Sequence, residues 1–500
     1  MFKSKKIRNL FFLLAAFIAI DILSYLALVF PNLNQVIFIV LVLLCLGLSI
    51  YRLELGLLMV LAELFIGSMG HMFVFSLGTY NLPIRIALWA VVMAVFVFRF
   101  VWQLIKEKKE GQYLKKIKNF SLLKYFIFLA IFIGIGLINA FLRKHSLDLI
   151  FNDFNSYLYW LLLFPAIVVY SRGESETEDK KTFNNLKLVF LAAAIFLSLK
   201  TLFLIYVFTH SLSFSPEVYT WLRKTLVGEM TPTLSGWPRV FIQGQIFSGV
   251  ALFLVFGQSL KTKKEAYGQQ IALMVLAALF ISSILISFSR SFWLGLAVAV
   301  VFSFIVVWRF FSLKKAIISM LWLLMSVLMA FFIIYFVSII PYPSKGEFNA
   351  DFIERVSGNK DEPALASRWS LLPVLLKEIK KEPFLGQGYG ATVTYFSQDP
   401  RILQNNPTGE YTTYAFEWGY LDLWLKIGLF GLLVYLVLIF SLIKRALILG
   451  SQKNNFILLG LSTALVFLAL TNFFTPYLNH PLGIGILIIG ACLIQENRVY

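Results

Sequence analysis

Charge is what this sequence has least of. Charged residues make up 14% of its 500 positions, against roughly 25% in a soluble domain, too few to clothe a surface that faces water. Cysteine is nearly absent. Cys45 and Cys492 both sit inside apolar stretches, which reads as buried thiols and leaves no disulfide or metal framework. Internal duplication, sustained heptads and low-complexity tracts are lacking as well. Paired repeats often accompany secondary transport, so their absence weighs against that class. What remains is apolar: 59% hydrophobic and 17% aromatic residues, with a mean hydropathy of +0.81. Runs of about 18 or more apolar residues recur along the whole chain, the signature of transmembrane helices. The expected fold class is all-α, a polytopic integral membrane protein.

Apolar segments fall at about 8–30, 34–51, 53–70, 82–102, 121–142, 155–171, 186–210, 239–260, 269–288, 290–309, 316–340, 418–443, 456–474 and 480–495. Each is long enough, or nearly so, to cross a hydrocarbon core of about 30 Å at about 1.5 Å per residue. That gives about fourteen crossings in a single membrane domain, 1–500. The run from MFKSKKIRNL to Phe30 resembles a signal sequence. Its apolar part exceeds the usual core of about 7–15 residues, so an uncleaved first helix is expected.

The formal net charge of +18 points to topology rather than to nucleic acid, because the basic residues concentrate in short joints. With Lys3, Lys5, Lys6 and Arg8 cytoplasmic, the joints at 99–118, 261–264, Lys314-Lys315 and Lys444-Arg445 all fall on the cytoplasmic side. The stretch 172–187 reads as a solvated linker on that side. Both termini are then cytoplasmic. The joints at 143–154, 211–238, 289 and 475–479 lie outside, as does the long loop 341–417. Loops longer than about 12–15 residues are usually functional or disordered, and this one is expected to be the working part.

Several ionisable residues lie within apolar runs, among them Asp21, Glu63, Lys200 and Asp422. Such groups cost about 2.5–3.5 kcal/mol at a helix centre and turn towards the bundle interior. Lys200 reads either as the partner of Asp21 or Glu63, or as part of a route for a proton or an anionic head group. Asp422 and Lys426, four apart, suit a local pair.

On the outer face, three arginines stand where the positive-inside rule does not ask for them. Arg239 opens the eighth crossing, Arg290 caps the hairpin between the ninth and tenth, and Arg368 lies in the long loop. Arginine's planar fork holds phosphate oxygens through paired hydrogen bonds; gathered together, the three would suit a diphosphate carried by a lipid. The plainer reading has each arginine snorkelling to head groups. Residues 364–382 place Leu365, Trp369, Leu372, Leu375, Leu376 and Ile379 on one helical face, with Pro373 as a bend. That is an amphipathic helix suited to a membrane surface or to covering a cavity. Gly386, Gly388 and Gly390 follow, permitting either a plain turn or close approach to a ligand. Glu417 stands at the mouth of the twelfth crossing. It reads either as a base for a hydroxyl nucleophile, helped by partial burial, or as a carboxylate favoured by the helix dipole.

The succession SRSFWLG, R-W with its helix, EPFLGQGYG and E-W-G-Y-L-x-L-x-L-K-x-G-L-x-G resembles the O-antigen ligase and polymerase family of bacterial cell-surface polysaccharide enzymes. The likeness covers about 235–445. It implies transfer of a glycan from an undecaprenyl diphosphate carrier to an acceptor hydroxyl at the outer face of the cytoplasmic membrane, with inversion and with no metal, nucleotide or other cofactor. It gives Glu417, Arg290 and Arg239 as catalytic residues and Arg368, Tyr420 and Gly388 as substrate contacts; Lys200, outside the likeness, joins the expected substrate contacts through its charge within an apolar run. Partners are the lipid-linked donor, the glycan acceptor, membrane lipids and other polysaccharide-assembly proteins. One departure stands out. Many members carry His-Asn eleven residues before the first glycine of G-L-x-G; here Glu417-Trp418 occupies that place, which favours a polymerase or another branch over a ligase. His71, His145, His210 and His480 do not fit the slot. A lipid-linked oligosaccharide flippase and a non-catalytic scaffold are the competing readings.

Overall fold

In a hydrocarbon solvent a lone spanning segment can satisfy its own backbone only as a helix, and helices dominate the chain. The computed structural model describes residues 4–78, 80–106, 111–171, 176–233, 236–261, 266–342, 348–357 and 363–497. Parts of the joints at 99–118 and 261–264, and of the linker at 172–187, lie outside the described residues. Helices α1 (Ser4–Val29), α2 (Pro31–Tyr51) and α3 (Leu53–Ile66) lead to a hairpin of β1 (Val74–Leu77) and β2 (Tyr80–Pro83). Then come α4 (Ile84–Lys106), α5 (Gln112–Lys118), α6 (Leu123–Leu142), α7 (Leu147–Phe154) and α8 (Leu163–Tyr170), with a 3₁₀ segment at Asn155–Leu162. Helices α9 (Glu176–Thr209) and α10 (Ser215–Lys224) precede a second hairpin, β3 (Gly228–Pro232) and β4 (Pro238–Ile242). Four helices follow: α11 (Gln245–Lys261), α12 (Tyr267–Ile286), α13 (Arg290–Phe310) and α14 (Leu313–Ile339). The long loop holds α15 (Phe348–Ser357), α16 (Pro363–Lys381), β5 (Val393–Phe396), α17 (Pro400–Asn405) and β6 (Glu410–Thr413). The chain closes with α18 (Gly419–Gln452), α19 (Phe456–Thr471) and α20 (Pro481–Glu496).

Each of the fourteen expected segments contains helix, but among the described residues nine helices are long and apolar enough to cross a membrane. The shortfall is one of length. Helices α11, α19 and α20 have 17, 16 and 16 residues. At about 1.5 Å per residue, a helix of α3's length rises roughly 21 Å, short of the roughly 30 Å core.

Small residues let the central helices touch. A Cβ at Gly257 would lie 2.1 Å from the Phe456 carbonyl oxygen, and one at Gly460 2.4 Å from that of Phe253. Helices α11 and α19 therefore meet nearly backbone to backbone, the usual basis of helix association in lipid. Buried charges are paired. Lys200 Nζ lies 2.6 Å from Asp21, Arg85 holds Glu63 through bonds of 2.8 and 3.0 Å, and Lys426 sits 2.6 Å from both Asp153 and Asp422.

Helix α18 is broken at Gly428, whose φ of 72° leaves the helical region. The EPFLGQGYG segment fills the break. Gln387 N–H donates to Leu425 O at 2.7 Å and Gly388 N–H to Lys426 O at 3.2 Å. Leu429 N–H donates to Pro383 O at 2.9 Å and Phe430 N–H to Phe384 O at 3.3 Å. Backbone groups freed by the break are thus satisfied by the loop, as a broken membrane helix requires.

The amphipathic helix differs from expectation in its face. Helix α16 runs unbroken through Pro373 and buries Ser367, Leu371, Leu375 and Ile379, while Trp369 and Leu376 are exposed. Leu372 is half-buried, and the side chain of Leu365 lies outside the described residues. The buried stripe packs with Ala391, Val393, Phe416 and Leu425 in a small core, so the helix rests on β5 and α18. A second correction concerns Arg239. It lies on β4, opposite Thr231 of β3, and the eighth helix begins only at Gln245; the β-branched and aromatic run Val240-Phe241-Ile242 favours strand.

Candidate active site

Four segments of the chain bring the arginines expected on the outer face to one place. Strand β4 carries Arg239, whose Nε–H donates to Ser287 O at 2.9 Å. Its guanidinium stands 4.0 Å from Glu229 of β3. Arg290 is the first residue of α13, directly after the turn Ser287–Ser289. A cation at a helix N-terminus opposes the helix dipole, so the position gains nothing locally from being arginine. Helix α15 clasps the same turn: Arg355 Nε–H donates to Phe288 O and Arg290 Nε–H to Arg355 O, each at 3.2 Å. Aromatic packing fixes that helix, with Phe352 4.9 Å from Trp293 and Phe348 5.4 Å from Trp237, ring centre to ring centre. Thr233 donates to Asp351 and ties α15 to the β3–β4 hairpin.

The fourth segment joins α16 to the start of α18. Arg368 forms an ion pair with Glu417, and Trp418 Nε1–H donates to Arg368 O at 3.1 Å. Glu417 is 55% exposed. Arg368 therefore holds this carboxylate in place, and the partial burial expected of it is not found. Arg239, Arg290, Arg355, Arg368, Glu229 and Glu417 all line one cavity of about 370 Å³. Four guanidinium groups face two carboxylates there, which leaves an excess of positive charge suited to a polyanion.

Three other expected contacts stand elsewhere. Lys200 is enclosed with Asp21, its ammonium 4.6 Å from the Trp221 ring. Tyr420 donates to Ala469 O at 2.8 Å. Gly388, with φ of 93°, packs on α6, where a Cβ would meet Ala140 N at 2.4 Å. None of the three lines the arginine cavity. Sequence reasoning missed Arg355, Glu229 and His480 on the cavity wall. Arg355 carried a usable signal, since it breaks the positive-inside rule as Arg368 does.

A second cavity of about 640 Å³ adjoins the first, sharing Met69, Pro476 and His480 with it. His71 lines its wall. Burial pushes that imidazole below its ordinary range; the Met69 carbonyl opposes the shift and nearby Arg85 adds to it.

Residues 272–436 match the O-Antigen ligase family model. The O-Antigen ligase stretch runs from α12 into α18 and supplies Arg290, Arg355, Arg368 and Glu417; Arg239 lies before it. It also contains both sides of the α18 break, Pro383–Gly388 and Leu425–Phe430. The similarity to the O-Antigen ligase family therefore covers the long loop and the helices on either side of it. No curated protein matches the chain.

Proposed function

We propose that this membrane protein is a glycan polymerase or ligase that transfers a glycosyl chain from a polyprenyl-diphosphate carrier to an acceptor sugar hydroxyl, outside the cytoplasmic membrane. The observation that carries the reading is the shared cavity of Arg239, Arg290, Arg368 and Glu417. These residues come from three separate regions of sequence and meet at the end of α18 that the long loop enters. The N-terminus of α13 adds its backbone N–H groups, a second feature that favours phosphate oxygens.

In the proposed reaction the acceptor hydroxyl gives its proton to the Glu417 carboxylate as its oxygen bonds to the anomeric carbon. The bond from that carbon to the diphosphate oxygen breaks, and its electron pair leaves with the lipid diphosphate. Attack opposite the leaving group inverts the anomeric centre. Charge developing on the departing oxygen is met by guanidinium groups already in place, the usual source of electrostatic rate enhancement. Arg368 orients the carboxylate, and α15 and α16 screen the site from water, which would otherwise hydrolyse the donor.

Purified protein in detergent, given lipid diphosphate-linked repeat units, is expected to lengthen or transfer them, read by mass spectrometry of the products. Arg290→Ala should lower turnover by about 10²–10³-fold, and Glu417→Gln by about 10²–10⁴-fold, with a loss of stability of no more than about 1 kcal/mol. Lipid that crosses a vesicle wall without change of mass would overturn the reading in favour of transport.

A further inference from the structure

The two adjoining cavities differ in charge. In the larger one the cations are already matched: Arg85 is held by Glu63 and also donates to Ser68 O at 2.6 Å, while Lys426 bridges Asp153 and Asp422. His71 is favoured in its neutral form by burial. This cavity has no surplus positive charge to offer a diphosphate. It has amides and aromatic rings instead, with Asn81, Asn152 and Asn155 on its wall beside Trp89, Tyr159 and Tyr414. Amides exchange hydrogen bonds with hydroxyls, and aromatic faces stack on the C–H face of a sugar ring.

A second observation points the same way. Trp89 Nε1, Tyr159 Oη and Asn479 Oδ1 are buried without a hydrogen-bond partner among the described residues. All three residues line this cavity. Buried polar groups are nearly always satisfied; each of these atoms is enclosed by its neighbours, so its side chain must turn for it to reach a hydroxyl in the cavity.

Resting on the proposed transfer reaction, we infer that the larger cavity binds the acceptor glycan as an uncharged polyhydroxyl chain, and that its reacting hydroxyl meets the donor at the junction of Met69, Pro476 and His480. The division of labour follows from the linings. Anion goes to the arginines and sugar to the amides and rings, and the shared wall is where the two substrates touch.

The test uses the full-length protein in detergent and two probes. One is the repeat-unit oligosaccharide, released by mild acid from the lipid-linked glycans of cells carrying the protein. The other is undecaprenyl diphosphate without sugar. Tyr159→Phe, Trp89→Phe and Asn155→Ala should each weaken oligosaccharide binding by up to about tenfold, the scale of one lost hydrogen bond. Acceptor KM should rise by the same factor, with donor KM and undecaprenyl diphosphate binding unchanged. Asn152→Trp, which fills the cavity and breaks no side-chain hydrogen bond seen among the described residues, should abolish oligosaccharide binding. Unchanged oligosaccharide binding in all four variants, with transfer intact, would overturn the inference and leave the reaction standing. Loss of undecaprenyl diphosphate binding in these variants would assign the cavity to the lipid and overturn it as well. A wild-type protein that binds neither probe and transfers nothing would remove the reaction itself.

Discussion

Lys426 lies between Asp153 and Asp422 with all three side chains at most 6% exposed. Removing the cation strands two carboxylates, and breaking a buried pair in this way costs about 3–5 kcal/mol. Lys426→Met should therefore lower the unfolding temperature sharply. Lys381→Met, which loses a pair to Glu378 at a lysine 58% exposed, should cost less than about 1 kcal/mol. Equal melting of the two variants would show that the buried triad does not support the fold. Arg290→Lys tests the cavity at the same scale. It keeps the charge and loses the planar fork, so its turnover should fall between those of the wild type and Arg290→Ala. In the sequence Arg239, Arg290 and Arg368 stood out because the positive-inside rule does not ask for them, and Glu417 because it falls in the family's His-Asn place; the fold brings all four to one cavity. Asp153 was not legible as a partner of Lys426, since 273 positions separate them. Arg355 was hidden because its ten-residue helix read as loop.

The break in α18 and the EPFLGQGYG segment form a single element from two stretches of chain. At Gly428 a side chain meets two obstacles. Its φ of 72° with ψ of 176° is a conformation essentially open to glycine alone, costing another residue about 1–3 kcal/mol, and a Cβ would lie 2.1 Å from the Phe384 carbonyl oxygen. Gly428→Ala should displace the loop segment, lower thermal stability and depress transfer, although the residue lines neither cavity. The matched control is Gly134→Ala on α6, where a Cβ meets nothing within 4 Å; it should leave both measurements unchanged. The glycine pattern announced close backbone approach, but pattern alone did not say to what. The partners proved to be the protein's own helices, α18 at Gly386 and α6 at Gly388. The face of α16 was misread for a related reason. Trp369 and Leu376 satisfy helical spacing as well as Leu371 does, and only the partners β5 and α18 decide which stripe is covered.

For the whole molecule, the proposed reaction demands that the arginine cavity open on the side away from the cytoplasm, where lipid-linked glycans are joined in the reading above. Helix α18 gives a ruler for this. Its 34 residues run from Gly419, beside Glu417, to Gln452 at the far end. The basic pair Lys444-Arg445, expected as a cytoplasmic joint, lies within this helix near its far end. Positive-inside bias therefore predicts that the helix stands with Gly419 outward. Thr408, in the long loop, and Gln452 are both exposed. The two native cysteines are fully buried, so they leave an exposed cysteine as the reactive thiol. In intact cells a membrane-impermeant maleimide should label Thr408→Cys at once and Gln452→Cys only after the membrane is opened. The reverse pattern would put the arginines and Glu417 in the cytoplasm and Lys444 and Arg445 outside, where that pair would break the charge rule, and the cavity would face away from its proposed substrates. Orientation of this one helix thus bears on the reaction as directly as any substitution in the cavity.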